Sequence, residues 1–146
     1  MQLNTSASVM SFAKQLEADS SGFYQEMAQR YPEAAALSLA FARENGKYAT
    51  MIERAYYGVI TDAIEGCFAF TVETDKYVIE KQLAKGLGYA DALNQAVNME
   101  QKLISFYTDA AEQSKAFMAD VPRTFLIVAK KRKDREDKLR ALLKEK

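Results

Sequence analysis

Apolar residues recur three and four positions apart along four long stretches of this chain, and almost nothing interrupts them. A period near 3.6 residues puts such positions on one face of a helix, so each stretch predicts an amphipathic helix that must bury its stripe against others. Only 2 Pro and 6 Gly occur in 146 residues. That is too few for the many tight turns of a β-sandwich or barrel, and a chain of this length is the size of one domain with its own core. The fold class read from the sequence is all-α.

The first helix is expected over about 8–31, with Met10, Ala13, Leu16, Phe23, Tyr24 and Met27 on its stripe, and Pro32 stops it. The second, over about 32–57, starts favourably at that proline and carries Leu37, Phe41, Tyr48, Met51 and Ala55. The third, about 89–118, carries Leu93, Ala96, Val97, Ile104, Tyr107 and Ala111. The fourth, about 122–146, carries Phe125, Val128, Ala129, Leu139 and Leu142. Short links make the first two and the last two antiparallel hairpins. The intervening stretch, about 58–88, contains an expected helical piece over Glu73 to Lys85, ended by Gly86-Leu87-Gly88. It is long enough to run the length of a bundle and leave the second and third helices parallel.

An internal echo points to two related halves. Glu17-x5-Phe23-Tyr24-x-Glu26-Met27-Ala28 in helix one and Glu100-x5-Phe106-Tyr107-x-Asp109-Ala110-Ala111 in helix three share Glu, Phe, Tyr, an acid and Ala in register at a constant offset of 83. A duplicated helical hairpin accounts for such a match.

The chain has no His and one Cys, Cys67. Without imidazole, catalytic triads and the usual zinc and iron sites lose a standard component, so a site must be built from carboxylates, Tyr, Lys or Arg. A lone Cys forms no intrachain disulfide, which fits a reducing compartment. The opening Met1 to Ser11 lacks the basic start and apolar core of a secretory leader, and no uncharged apolar run approaches the roughly 20 residues that span a bilayer. These features read as a soluble, cytoplasmic protein with no membrane association. The 20 positive and 20 negative charges balance overall. They are segregated, however: Arg123 to Lys146 carries a large positive excess, which requires acid either on a partner or in the rest of the chain.

Each apolar stripe has a charge set into it. Glu17 lies between Ala13 and Tyr24, Glu44 between Phe41 and Tyr48, Glu100 between Val97 and Ile104, and Arg132 follows Val128 and Ala129. Lys47 and Arg135 each follow one turn later. Charged side chains are rarely buried unless paired or metal-bound, and single charges at stripe edges ordinarily snorkel to water. Their presence in all four helices points to a common interior site.

These residues resemble the rubrerythrin-like branch of the ferritin-like superfamily. Its pattern is Glu-x5-Phe-Tyr on helices one and three with Glu-x-x-His on helices two and four. The stretch from Lys81 to Leu93 is similar to the family's entry into helix three. The resemblance implies a ferritin-like four-helix bundle, two hairpins joined by a long, partly helical crossover, holding a di-iron site with peroxidase or ferroxidase activity. Position by position, Glu17, Glu44 and Glu100 match family carboxylate ligands, with Tyr24 and Tyr107 nearby. Lys47 stands at the first His, and Arg132 and Arg135 stand at the last Glu and His. The cations cannot coordinate iron while charged. Nor is there a Cys-x-x-Cys rubredoxin-like module.

The expectation is therefore a bundle that has lost its di-iron site and expects no cofactor. A salt-bridge cluster of Glu17, Glu44 and Glu100 with Lys47, Arg132 and Arg135 replaces the metals, no residue is catalytic, and the role is structural, binding or regulatory. One alternative keeps a carboxylate-only metal-binding oxidoreductase on the three glutamates. Another is nucleic-acid binding through Lys130-Lys131-Arg132-Lys133, which is disfavoured because Lys130 to Asp134, Arg132 to Glu136 and Lys133 to Asp137 have the spacing of a solvated helix face. A homodimer is expected by the family resemblance. Tyr56, Tyr57, Phe68 and Phe70 could form its surface or cap the bundle's own core.

Overall fold

A computed structural model describes residues 1–59, 68–114 and 120–145 of the chain. Cys67 and the end of the expected third helix at Met118 lie outside the described residues. Four long helices dominate: α1 (Ser6–Arg30), α2 (Ala35–Val59), α3 (Tyr89–Ser114) and α4 (Asp120–Lys144). The protein is an all-α four-helix bundle. Two short strands, β1 (Gln2–Thr5) and β2 (Phe68–Glu73), form an antiparallel pair at its side.

The helix starts follow from local chemistry. Helix α1 begins two residues earlier than its periodicity indicates because Thr5 caps it: the Thr5 hydroxyl accepts from the backbone N–H of Ser8 at 3.1 Å, and Ser8 Oγ accepts from the Thr5 N–H at 3.3 Å. Pro32 opens a single 3-10 turn, Pro32–Ala34, before α2. Proline suits that position because it lacks the N–H that a helix start leaves unsatisfied.

Contacts between the helices give their directions. Along α1 and α2, Lys14 pairs with Glu53, Glu17 with Asn45, and Ser21 with the Ala42 carbonyl, so the two are antiparallel. Along α3 and α4, Gln101 meets Glu136 and Tyr107 meets Phe125, again antiparallel. Between the hairpins, α1 opposes α3 through Phe12 with Phe106 and Tyr24 with Glu100, and α2 opposes α4 through Tyr48 with Arg132 and Phe41 with Arg135. Helices α2 and α3, each antiparallel to α1, run parallel to one another.

The crossover differs from the sequence reading. No helix occupies Glu73 to Lys85. Instead β2 is followed by a 3-10 turn, Thr74–Tyr77, and then an irregular segment up to α3. The alternation Phe70 and Val72 inward, Thr71 and Glu73 outward, is that of a strand with one buried face. Its partner is β1, with Leu3 opposite Val72, a pairing that local periodicity does not reveal.

The crossover lies along the bundle and is tied down at intervals. Gln113 accepts from the Thr71 N–H and donates to its carbonyl, Tyr77 donates to Asp109, and Gln95 donates to the carbonyls of Glu80 and Gln82. Arg30, at the end of α1, donates to the carbonyls of Leu83 and Ala84. The closing turn needs a left-handed residue, and Gly86 supplies it with φ 75°. No helix among the described residues is long and apolar enough to cross a membrane.

Candidate functional site

Halfway along the bundle, the apolar core gives way to a network of buried polar and charged groups. Glu17 of α1, Asn45 of α2, Glu100 of α3, and Arg132 and Arg135 of α4 are each no more than 2% exposed. They sit inside because their helical positions are core positions. The inward residues of α4, Val128, Arg132, Arg135 and Leu139, repeat the spacing of Phe41, Asn45, Tyr48 and Ile52 on α2.

Arg132 is the hub. It forks onto Glu17, donating from Nη2 to Oε1 at 2.7 Å and from Nε to Oε2 at 3.3 Å, and its Nη1 donates to Glu100 Oε1 at 2.6 Å. One planar guanidinium thus bridges two carboxylates, which suits its fixed fork of donors. Burial works against its charge, but Glu100 and Glu17 outweigh that penalty and hold it protonated well above its ordinary range.

Arg135 lies beside it and is held differently. Its Nη1 donates to Asn45 Oδ1 at 3.0 Å and its Nη2 to the Phe41 carbonyl at 2.8 Å. Glu100 is 3.7 Å and Glu44 3.6 Å from its nitrogens. The guanidinium carbon lies 4.6 Å from the Phe41 ring centre and 4.8 Å from that of Tyr48, so aromatic faces take over part of the solvation that water would give. Its Nε has no hydrogen-bond partner among the described residues.

One oxygen of each carboxylate also accepts from a phenol, in a reciprocal arrangement. Tyr24 donates to Glu100 Oε2, and Tyr107 donates to Glu17 Oε2. Each half of the sequence echo therefore hands its tyrosine to the other half's glutamate. Burial first, then the charge of Glu100, raises the Tyr24 phenol well above its ordinary value, and burial with Glu17 does the same to Tyr107. Asn45 completes the network by donating to Glu17 Oε1 at 3.0 Å.

One residue read as a member of the site stands elsewhere, and another lies only at its edge. Lys47 is exposed on the outer side of α2 and takes no part in the cluster, whereas Glu44 lies at its rim, its side chain 44% exposed and 3.6 Å from Arg135. Positions 41, 44 and 48 and positions 41, 45 and 48 are equally good helical stripes, and the fold uses the second. The buried amide Asn45, overlooked in the sequence, is the inward residue. Its signal was the four-three-four spacing shared with α4. The interior charge is nevertheless balanced, by two carboxylates against two guanidiniums rather than three against three.

This donor set does not fit a di-iron centre. Two glutamates bridged by a guanidinium leave no group of three metal-ligating side chains, and among the described residues none occurs elsewhere. In the basic run of α4, Lys130, Lys131 and Lys133 are exposed, and Lys133 pairs with Asp137 at 3.4 Å as on a solvated helix face. Arg132 turns inward and does not pair with Glu136, which is held instead by Arg140 at 2.8 Å and Lys133 at 3.4 Å. Of the crossover aromatics, Tyr56 and Phe70 are buried and Tyr57 is exposed, while the Phe68 side chain lies outside the described residues. No family model matches the chain, and neither a curated relative nor a solved structure matches it.

Proposed function

We propose that this chain is a ferritin-like bundle in which two guanidiniums stand where related bundles hold metal, and that it acts as a structural or binding protein without redox chemistry at its centre. One observation carries the reading: inward positions of all four helices bring together Glu17, Asn45, Glu100, Arg132 and Arg135, whose charges cancel and whose hydrogen bonds use the carboxylate oxygens. Both glutamates lie at the positions matched to family ligands, and both arginines at positions matched to ligands that are now cationic. A guanidinium delivers positive charge to the carboxylates without an exchangeable coordination site. The bundle keeps the electrostatic complement of a metal centre and gives up its reactivity.

Elemental analysis of protein purified without chelator, together with an assay of ferrous-ion oxidation by peroxide, tests this directly. The expected result is well under one equivalent of iron, manganese or zinc per chain and no oxidation above background. Two tightly held metal ions per chain would overturn the reading.

A further inference from the structure

The cluster's hydrogen bonds run mostly between the two halves of the chain. Tyr24 of the first hairpin donates to Glu100 of the second, Tyr107 of the second donates to Glu17 of the first, and Arg132 and Arg135 reach across to Glu17, Asn45 and the Phe41 carbonyl. The buried charges are divided unequally. The α1–α2 hairpin contributes one carboxylate, Glu17. To the cluster the α3–α4 hairpin contributes one carboxylate, Glu100, and both cations, while its other buried carboxylate, Glu136, is paired within the same helix by Arg140 and Lys133.

We propose that these inner faces are unlike mating surfaces, so that the α1–α2 face accepts only a hairpin presenting two inward cations and rejects a second copy of itself. The shapes of the helix faces alone would not enforce this, although β1 of the first half also pairs with β2 of the second. The hairpins share the Glu-x5-Phe-Tyr pattern on their first helices and the four-three-four inward spacing on their second. Two α1–α2 hairpins paired through that face would bury Glu17 twice with no cation. Two α3–α4 hairpins would bury four guanidiniums against two carboxylates. Only the unlike pair is neutral, and uncompensated buried charge is what a wrong pairing cannot tolerate. The same rule governs association between copies: an α1–α2 hairpin of one chain can replace its counterpart in another, but like hairpins cannot meet. Exchange of hairpins is therefore the dimerisation route that the interior allows.

A protease site inserted between Glu65 and Gly66 of the full chain provides the test. The folded protein is cut, unfolded in denaturant and refolded, and native mass spectrometry counts the three possible pairs by mass. Unlike pairs are expected to exceed like pairs by at least about a hundredfold. Two variants separate charge from shape. In Asn45→Arg/Arg132→Asn one cation moves to the first hairpin, and in Glu17→Gln/Glu100→Gln/Arg132→Met/Arg135→Met no inward charge remains. Every pairing is then charge-balanced, and like pairs should rise toward the statistical proportion. Like pairs at that proportion in the unsubstituted protein, or no reassociation of its hairpins, would overturn the proposal. So would full selectivity surviving in either refolded variant.

Discussion

Arg132 donates from Nη1 to Oε1 of Glu100 across 2.6 Å, with both side chains wholly excluded from solvent. A pair in that setting does not stabilise a fold relative to well-packed apolar residues, because desolvation consumes most of the Coulomb attraction. Its consequence is dependence: once one partner is buried, the other must be there. Arg132 meets that requirement for Glu100 and Glu17 together, while Tyr24, Tyr107 and Asn45 supply the hydrogen bonds that a single guanidinium cannot reach.

Asn45 and Lys47 offer the sharpest contrast between an inward and an outward position on the same helix. Asn45→Leu removes the acceptor for Arg135 Nη1 and a donor to Glu17, leaving buried charged groups short of partners. It should cost about 1 to 3 kcal/mol or more. Lys47→Ala, on the solvated side, should stay within about 0.5 kcal/mol of the parent. Urea unfolding of the two variants checks this, and equal effects would place Lys47 in the network after all.

The phenols of Tyr24 and Tyr107 set a pH dependence with a definite sign. Their folded-state values are raised, by burial first and the partner carboxylates next. The stability they contribute is complete below the unfolded-state value of about 10 and is lost as pH climbs through the folded values. Of the 8 tyrosines, these two should remain protonated in the native protein and ionise only as it unfolds in alkali. Ultraviolet titration of phenolate, followed alongside helix content, measures it. Their ionisation before any loss of helix would count against the buried hydrogen bonds.

Much of the architecture was legible because helical periodicity is local. The stripes through Phe23 and Tyr24 and through Phe106 and Tyr107 locate α1 and α3, and the residues of the echo between them meet as Tyr24 with Glu100 and Tyr107 with Glu17. The errors share a cause, namely that one helical turn or one strand is ambiguous without its neighbour. Glu44 and Asn45 fit the α2 stripe equally well, and only the packing of α4 decides between them. The stretch Phe70-Thr71-Val72-Glu73 alternates as a strand, yet its partner is Leu3, at the other end of the first hairpin. The capping residue Thr5 was readable from its own chemistry but fell in a segment too short to show a period.

Thr5→Ala should destabilise the fold by about 0.5 to 2 kcal/mol, because it removes the acceptor for the Ser8 N–H at the start of α1. Thr5→Ser, which keeps the hydroxyl, should recover most of the loss. Thermal unfolding of the pair distinguishes a cap from a packing effect of the threonine methyl, for which serine would rescue nothing.

The interior cluster is tested most directly by a double-mutant cycle on Arg132 and Glu100, read by urea denaturation at neutral pH. Arg132→Met keeps most of the side-chain stem and deletes the cation, so it should cost about 3 to 5 kcal/mol. Combining it with Glu100→Gln should lose less than the sum of the single changes, by about 1 to 3 kcal/mol, since the second substitution removes a carboxylate that the first left unpaired. A loss below about 1 kcal/mol for Arg132→Met with no coupling to Glu100 is the behaviour of a solvated pair, and it would contradict a guanidinium buried between two carboxylates at the centre of the bundle.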